Sequence, residues 1–225
     1  MERIGAIVPA AGRSVRMGGV DKLFVPLLDK PLLAWCVEAL ESCSCVSEIV
    51  IAVTDERHAA TERMVQERGW GKTRLVVGGE LRQDSVRNAL SVMGEVDWVL
   101  VHDGDRPFLS EDLIRQGLDS ARETGAAVAA VRPKDTVKVV VDDLVVRTLN
   151  RDDLRAVQTP QVFRADILRT AHGGSGGVVT DDAALVEGIG YRVKVYDGAF
   201  ENLKVTTPDD LVLARAIAAC MRRRE

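Results

Sequence analysis

The sequence predicts an α/β protein in which helices flank a mostly parallel β-sheet and one β-hairpin arm protrudes from the body. Four short apolar runs have the length of buried strands, at residues 4–8, 48–53, 73–77 and 97–101. Segments with helical periodicity separate these runs. Strands and helices that alternate at this spacing favour right-handed βαβ crossovers and therefore a parallel sheet.

The remaining elements follow from local signals along the chain. Pro31 suits the first turn of a helix, and Thr180 and Asp181 suit a helix start. Alternating polar and apolar residues on both sides of Asp142 and Asp143 predict a hairpin. We predict helices at residues 31–40, 57–68, 110–125, 164–171, 180–188 and 208–221, and another that follows residues 78–80 and runs through residue 90. We predict strands at 126–131, 136–141, 144–149 and 191–196, and an extended segment at 156–163. We expect residues 173–177, which are mostly glycine, to form a mobile connection.

Composition excludes several classes of protein. The chain has 46% hydrophobic residues, 28% charged residues and a net charge of −4, so it lacks the basic character of a general nucleic-acid-binding protein. No apolar run approaches the roughly 18 residues of a membrane span, and no export signal precedes the first strand. The four cysteines lack the spacing of a zinc site. We expect one cytoplasmic domain over residues 1–225.

A basic loop that contains small residues follows the first strand. Pro9, Ala10, Ala11 and Gly12 open this loop, which also carries cations at Arg13, Arg16 and Lys22. Small residues let backbone N–H groups approach a ligand, and cations can surround an anion, so the loop favours a polyphosphate. It matches neither GxGxxG nor GxxxxGK[ST], and a surface turn with solvated cations is the alternative.

Two carboxylates follow the fourth strand, in the run HDGDRP. Loops after Val8, Val77 and Val101 should meet at the carboxyl edge of the sheet, where α/β proteins bind ligands. Asp103 and Asp105 could share Mg²⁺ there, whereas the alternative for Asp105 is a surface ion pair with Arg106. With no GxSxG, HExxH or dinucleotide fingerprint, the residues favour phosphoryl or nucleotidyl transfer over hydrolase, zinc-enzyme and oxidoreductase chemistry.

Motifs along nearly the whole chain resemble those of the 2-C-methyl-D-erythritol 4-phosphate cytidylyltransferases of the non-mevalonate isoprenoid pathway. In order, they are PAAGRSVRMGGVDK, GGELRQDSV, HDGDRP, DTVK, Asn150-Arg151, TPQVF, TDDAALVE and NLKVTTPDDL. The resemblance implies a Rossmann-like nucleotidyltransferase fold. It also implies attack by the phosphate of methylerythritol phosphate on the α-phosphorus of CTP.

The resemblance implies roles for particular residues. Arg16 and Lys22 would stabilise charge at the α-phosphate, and Arg151 and Lys204 would hold the polyol phosphate. Asp103 would lie beside Mg²⁺ or another divalent cation. The implied substrate-binding residues are Pro9, Ala10, Ala11, Gly12, Gly79, Glu80, Ser85, Asp103, Gly104, Arg106, Thr136 and Thr159. A β-arm at about residues 133–153 would exchange across a homodimer and carry Thr136 and Arg151 into the neighbouring site.

Two positions depart from the usual family pattern. Asp21 stands where the family usually has Pro, and HDGDRP replaces HDAARP, which adds the carboxylate of Asp105. Ribitol 5-phosphate cytidylyltransferases have very similar motifs and remain an alternative. So does a non-catalytic nucleotide-binding protein of the same fold. Likeness to molybdenum-cofactor nucleotidyltransferases is limited to the first loop.

Overall fold

The core of the protein is a seven-stranded sheet. The computed structural model describes residues 2–12, 21–174 and 177–223. The strands are β1 (Ile4–Pro9), β2 (Pro26–Leu27), β3 (Lys30–Pro31), β4 (Val46–Val53), β5 (Thr73–Val77), β6 (Trp98–Val101), β7 (Ala126–Val131), β8 (Lys138–Val141), β9 (Leu144–Thr148), β10 (Ala156–Arg164) and β11 (Lys194–Asp197). The main sheet has the order β11-β7-β10-β6-β1-β4-β5, in which only β10 runs antiparallel to its neighbours.

Helices cover both faces of this sheet. They are α1 (Leu32–Ser42), α2 (Asp55–Arg68), α3 (Arg82–Val92), α4 (Glu111–Thr124), α5 (Ala165–Gly173), α6 (Asp182–Gly188) and α7 (Pro208–Met221). Side chains of β1 alternate between the faces, as strand geometry requires. Ala6 and Val8 belong to the apolar cluster that contains α1, whereas Ile7 packs with Val86 of α3. Burial on both faces explains why the parallel strands are almost continuously apolar.

The hairpin β8–β9 stands outside the main sheet. Its turn residues Asp142 and Asp143 have φ angles of 49° and 60°, as a two-residue hairpin turn with left-handed central residues requires. Five of its apolar side chains are more than half exposed, from 52% at Val140 to 73% at Leu144. The arm therefore presents an apolar surface that this chain alone does not cover.

The predicted mostly parallel α/β sheet is confirmed, with small corrections to its elements. Strand β11 begins at Lys194, not Tyr191, because residues 191–193 do not pair with β7. Helix α2 begins two residues before the predicted Arg57. The prediction for residues 173–177 lies partly outside the described residues. Among the helices of the described ranges, none is long and apolar enough to cross a membrane.

Candidate active site

A polar cavity of about 1350 Å³ opens at the carboxyl edge of the sheet. The loops after β1, β5 and β6 all contribute to it, as the sequence predicts. Its lining includes Pro9, Ala10, Ala11, Gly12, Asp21, Lys22, Arg57, Gly78, Gly79, Glu80, Arg82, Ser85, Asp103, Asp105 and Lys204. Arg16 lies outside the described residues.

Close backbone packing forms one wall of the cavity. A Cβ atom on Gly78 would lie 2.5 Å from Cβ of Ala11, and one on Gly79 would lie 2.3 Å from Cβ of Asp84. Glycine is therefore required at both positions. The N–H of Gly79 donates to Oγ of the buried Ser85 at 3.1 Å, which fixes the loop against the start of α3.

Asp103 is the buried anionic centre of the site. Its Oδ1 accepts from Nε of Arg82 at 3.0 Å, and its Oδ2 accepts from Nζ of Lys204 at 2.9 Å. Burial alone would raise the pKa of Asp103, but the charges of Arg82, Lys204 and Arg106 outweigh burial and lower the pKa well below its usual range. Asp103 is therefore ionised at neutral pH.

Asp105 connects two lysines from distant parts of the chain. Its Oδ2 accepts from Nζ of Lys22 at 2.6 Å, and its Oδ1 lies 3.8 Å from Nζ of Lys204. Lys22 also donates to the carbonyl of Val205 at 2.9 Å. The alternative surface pair of Asp105 with Arg106 is wrong, because both lysine partners lie inside the cavity.

A chain of buried polar groups extends from Asp103 to α5 and α6. Nη1 of Arg82 donates to Oδ2 of Asp182 at 2.6 Å, and Nε2 of His172 lies 2.9 Å from Oδ1 of the same carboxylate. The two carboxylates hold the pKa of Arg82 above its usual value, although burial opposes this shift. Arg82, Asp182 and His172 were not predicted as site residues, although the first two lie inside the motifs GGELRQDSV and TDDAALVE.

Arg106 and Thr159 support the site from behind the cavity. Thr159 Oγ1 accepts from the N–H of Asp103 at 3.0 Å, and Arg106 Nη1 donates to the carbonyl of Asn202 at 2.8 Å. The side chain of Asn202 in turn donates to the carbonyl of Thr159 at 2.7 Å, and Lys204 follows two residues later in the chain. Gly104 is buried, and its N–H donates to the carbonyl of Pro9. These residues position Asp103 and Lys204.

Two of the predicted site residues lie away from the cavity of their own chain. Thr136 precedes the exposed hairpin, and Arg151 follows it, with Nη1 of Arg151 donating to the carbonyl of Lys134 at 2.8 Å. Both residues are exposed and neither lines the cavity. Their roles stay predictions.

The fold and the cavity together indicate a class of protein. A mostly parallel α/β sheet with lysines and carboxylates at its carboxyl edge favours a nucleotidyltransferase. The model of the 2-C-methyl-D-erythritol 4-phosphate cytidylyltransferase family matches residues 4–220, and the chain belongs to this family.

Individual relatives agree with this assignment. The enzyme of that name from Dehalococcoides mccartyi strain 195 is 44% identical over 96% of this chain and 96% of its own. The one from Bacillus cytotoxicus is 43% identical over 96% and 98%. Among solved structures, the 4-diphosphocytidyl-2C-methyl-D-erythritol synthase of Anaerococcus prevotii is 30% identical, with a TM-score of 0.86 over 97% of this chain and 99% of that one. The cytidylyltransferase of Thermus thermophilus is 31% identical, with a TM-score of 0.79 over 95% and 98%.

Proposed function

We propose that this chain transfers the cytidylyl group of CTP to 2-C-methyl-D-erythritol 4-phosphate in isoprenoid precursor biosynthesis. A phosphate oxygen of the polyol phosphate attacks the α-phosphorus of CTP, and the bond from this phosphorus to the oxygen that bridges to the β-phosphate breaks. The products are 4-diphosphocytidyl-2-C-methyl-D-erythritol and pyrophosphate. The observation that supports this most strongly is the convergence of Lys22 and Lys204 on one cavity.

The reaction needs charge stabilisation rather than a protein base. A phosphate monoester is mostly a dianion at pH 7, so the attacking oxygen is already ionised. Lys22, with Arg16, stabilises charge that develops at the α-phosphate, and Lys204, with Arg151, orients the polyol phosphate. His102 takes no part, since burial lowers its pKa to about 4 and its ring nitrogens face the Arg106 carbonyl and the Thr159 hydroxyl.

The cavity wall supports a role in binding the base. Ala10, Ala11, Gly79, Glu80 and Ser85 line this wall, where they would contact the cytosine. Pro9 and Gly12 line the cavity where the sugar and phosphates would lie, and Gly104 supports Pro9 from behind the cavity through a backbone hydrogen bond. We expect this wall to disfavour a purine.

A divalent cation, which we propose to be Mg²⁺, fits the oxygen ligands of the site. Asp103 would hold it, because each carboxylate oxygen keeps a lone pair beyond the hydrogen bond it accepts. The described residues contain no cluster of three side-chain metal ligands, so phosphate oxygens and water would complete the coordination. When bound, the ion neutralises charge on the phosphates.

We also propose that residues 1–225 form one nucleotidyltransferase domain that acts as a homodimer in the cytoplasm. An isolated two-stranded hairpin is barely stable in water, and the arm exposes a row of apolar side chains. Packing of the arm, at about residues 133–153, on a second copy would bury these side chains. It would also bring Thr136 and Arg151 to the partner's cavity, next to the polyol phosphate.

The decisive experiment measures pyrophosphate release by the purified protein with CTP, Mg²⁺ and each of two polyol phosphates. We expect faster release with methylerythritol phosphate than with ribitol 5-phosphate, and little release with ATP in place of CTP. Faster release with ribitol 5-phosphate would overturn the choice of substrate. Binding of CTP without release from either polyol phosphate would identify a non-catalytic nucleotide-binding protein.

A further inference from the structure

We propose that Arg57 is a positioning residue that ties together the two ends of the loop between β1 and Lys22. Nη1 of Arg57 donates to the carbonyls of Ala10 at 2.8 Å and Gly12 at 2.9 Å. Its Nε donates to Oδ2 of Asp21 at 2.6 Å. One guanidinium therefore contacts the chain immediately before and immediately after residues 13–20.

The position of Arg57 in its helix indicates that this role is specific. Arg57 lies in the first turn of α2, where a positive charge opposes the helix dipole. Asp55 and Glu56 in the same turn complement the dipole. The helix dipole therefore does not favour a cation at this end, and the guanidinium donates its three hydrogen bonds to the loop instead.

Asp21 transmits the effect of Arg57 to Lys22. The second carboxylate oxygen of Asp21, Oδ1, accepts from the N–H of Leu23 at 3.3 Å. The carbonyl of Asp21 accepts from the N–H of Phe24 at 3.1 Å. The carbonyl of the buried Leu23 accepts from the N–H of Leu33 in α1. The backbone of Lys22 is thus held on both sides, and its Nζ points to Asp105.

The alternative is that Arg57, which lines the cavity, binds the triphosphate directly. The two roles differ in what Asp21 does. If Arg57 positions the loop, Asp21 is its partner, and loss of either residue has the same effect. If Arg57 binds phosphate, Asp21 competes with the nucleotide, and its neutralisation tightens CTP binding.

The first test compares the steady-state kinetics of Arg57→Gln, Asp21→Asn and the double variant. These kinetic measurements rest on the proposed function. We expect each single change to lower kcat about tenfold or more, since a shift of about 1 Å at a catalytic group can cost a factor of a hundred. The double variant should be no slower than the slower single variant, and the KM for the polyol phosphate should not change. Arg68→Gln, in the last turn of α2 and paired with Glu38, is the matched control and should match the wild type.

A second measurement does not depend on turnover. Hydrogen exchange at the amides of Leu23, Phe24 and Val25 in the substrate-free protein should become about tenfold faster in Arg57→Gln and in Asp21→Asn, and should stay unchanged in Arg68→Gln. Unchanged exchange in both loop variants would overturn the proposal, as would a lower KM for CTP in Asp21→Asn with additive losses in the double variant. If the wild type releases no pyrophosphate, the proposed function fails, while the exchange result still decides the role of Arg57.

Discussion

Nζ of Lys22 lies 2.6 Å from Oδ2 of Asp105, and the two residues are 83 positions apart in the chain. Both side chains are mostly buried, with 15% and 13% of their surfaces exposed. Lys22 belongs to the loop after β1, and Asp105 belongs to the loop after β6, so this ion pair joins two sides of the cavity. An incoming triphosphate must compete with Asp105 for the charge of Lys22.

Asp105→Asn should therefore lower the KM for CTP. The substitution removes one negative charge from a cavity that binds a polyanion and keeps the size of the side chain. We expect the KM for CTP to fall about threefold, which corresponds to roughly 0.6 kcal/mol of tighter binding. Initial rates at varied CTP concentrations measure this change.

The same variant tests whether Asp105 holds a metal ion. If Asp105 only pairs with the lysines, the Mg²⁺ concentration that gives half-maximal activity should not change. Asp119→Asn, on the exposed face of α4, is the control for a general change in charge. A higher KM for CTP, or a higher Mg²⁺ requirement, would show that Asp105 assists binding instead of competing with it.

Lys22→Ala should reduce the chemical step more than nucleotide binding. An ammonium group directed at charge that develops in the transition state contributes mainly to kcat, and loss of such a donor costs about a hundred- to a thousandfold. We expect the Kd for CTP, measured by calorimetry, to rise less than about tenfold. Lys194→Ala removes a surface lysine paired with Glu123 and serves as the control. Equal losses in kcat and in CTP affinity would contradict the proposed role.

Local patterns predicted most of the fold because each element carries its own signal. The apolar runs of β1, β4, β5 and β6 lie close to their predicted bounds, and the Asp142-Asp143 turn forms the predicted hairpin. The direction of β10 was not predicted, because an extended segment carries no local sign of whether it pairs parallel or antiparallel. The start of β11 was wrong for a similar reason, since its pairing with β7 sets that boundary.

The candidate site was predicted where the residues share a sheet edge and missed where contacts join distant segments. Asp103, Ser85 and Lys22 line one cavity, as expected from loops at one edge. The ion pair of Arg82 with Asp182 joins residues 100 positions apart, so no spacing in the sequence could indicate it. In the sequence, Arg57 looks like an ordinary surface residue of a polar helix, because its hydrogen bonds with Ala10 and Gly12 depend on the tertiary structure.

Asp182→Asn should lower the free energy of unfolding at neutral pH and make this free energy less sensitive to acid. Burial alone would raise the pKa of Asp182, but hydrogen bonds and charge from His172 and Arg82 lower it. The unfolded chain then binds this proton more tightly than the folded chain, so the contribution to stability is present above the unfolded pKa of about 3.9 and is lost as the pH falls towards the folded value. Removal of one partner from a buried pair costs about 3 kcal/mol.

Urea unfolding between pH 3 and pH 7 measures both effects. The wild type should lose stability more steeply than Asp182→Asn as the pH falls below about 4. Asp119→Asn, which removes an exposed carboxylate paired with Arg122, should behave like the wild type. The same acid dependence in Asp182→Asn and in the wild type would show that Asp182 contributes nothing to the acid sensitivity of the fold.

Arg151→Ala should raise the KM for the polyol phosphate while the KM for CTP changes little. Loss of a charged partner of a phosphate costs about 1.5–3 kcal/mol, or roughly a ten- to a hundredfold rise in KM. Arg147→Ala removes another exposed arginine, from β9 of the same arm, and should leave both constants unchanged. Equal effects on both substrates would place Arg151 next to the nucleotide instead.

Mixing two impaired variants, assayed with the polyol phosphate well below its KM for Arg151→Ala, tests whether the arm supplies Arg151 to a neighbouring chain. In a dimer of one Lys22→Ala chain and one Arg151→Ala chain, exchange of the arms creates one site with both residues intact and one site with neither. Random reassembly makes about half of the dimers mixed, so about a quarter of the wild-type activity should return in a symmetric dimer. If each site used its own Arg151, every site in the mixture would lack one residue and the activity would stay at the level of the separate variants. Mixing Lys22→Ala with Lys204→Ala is the control that should restore nothing, because both lysines contact Asp105 in the cavity of one chain.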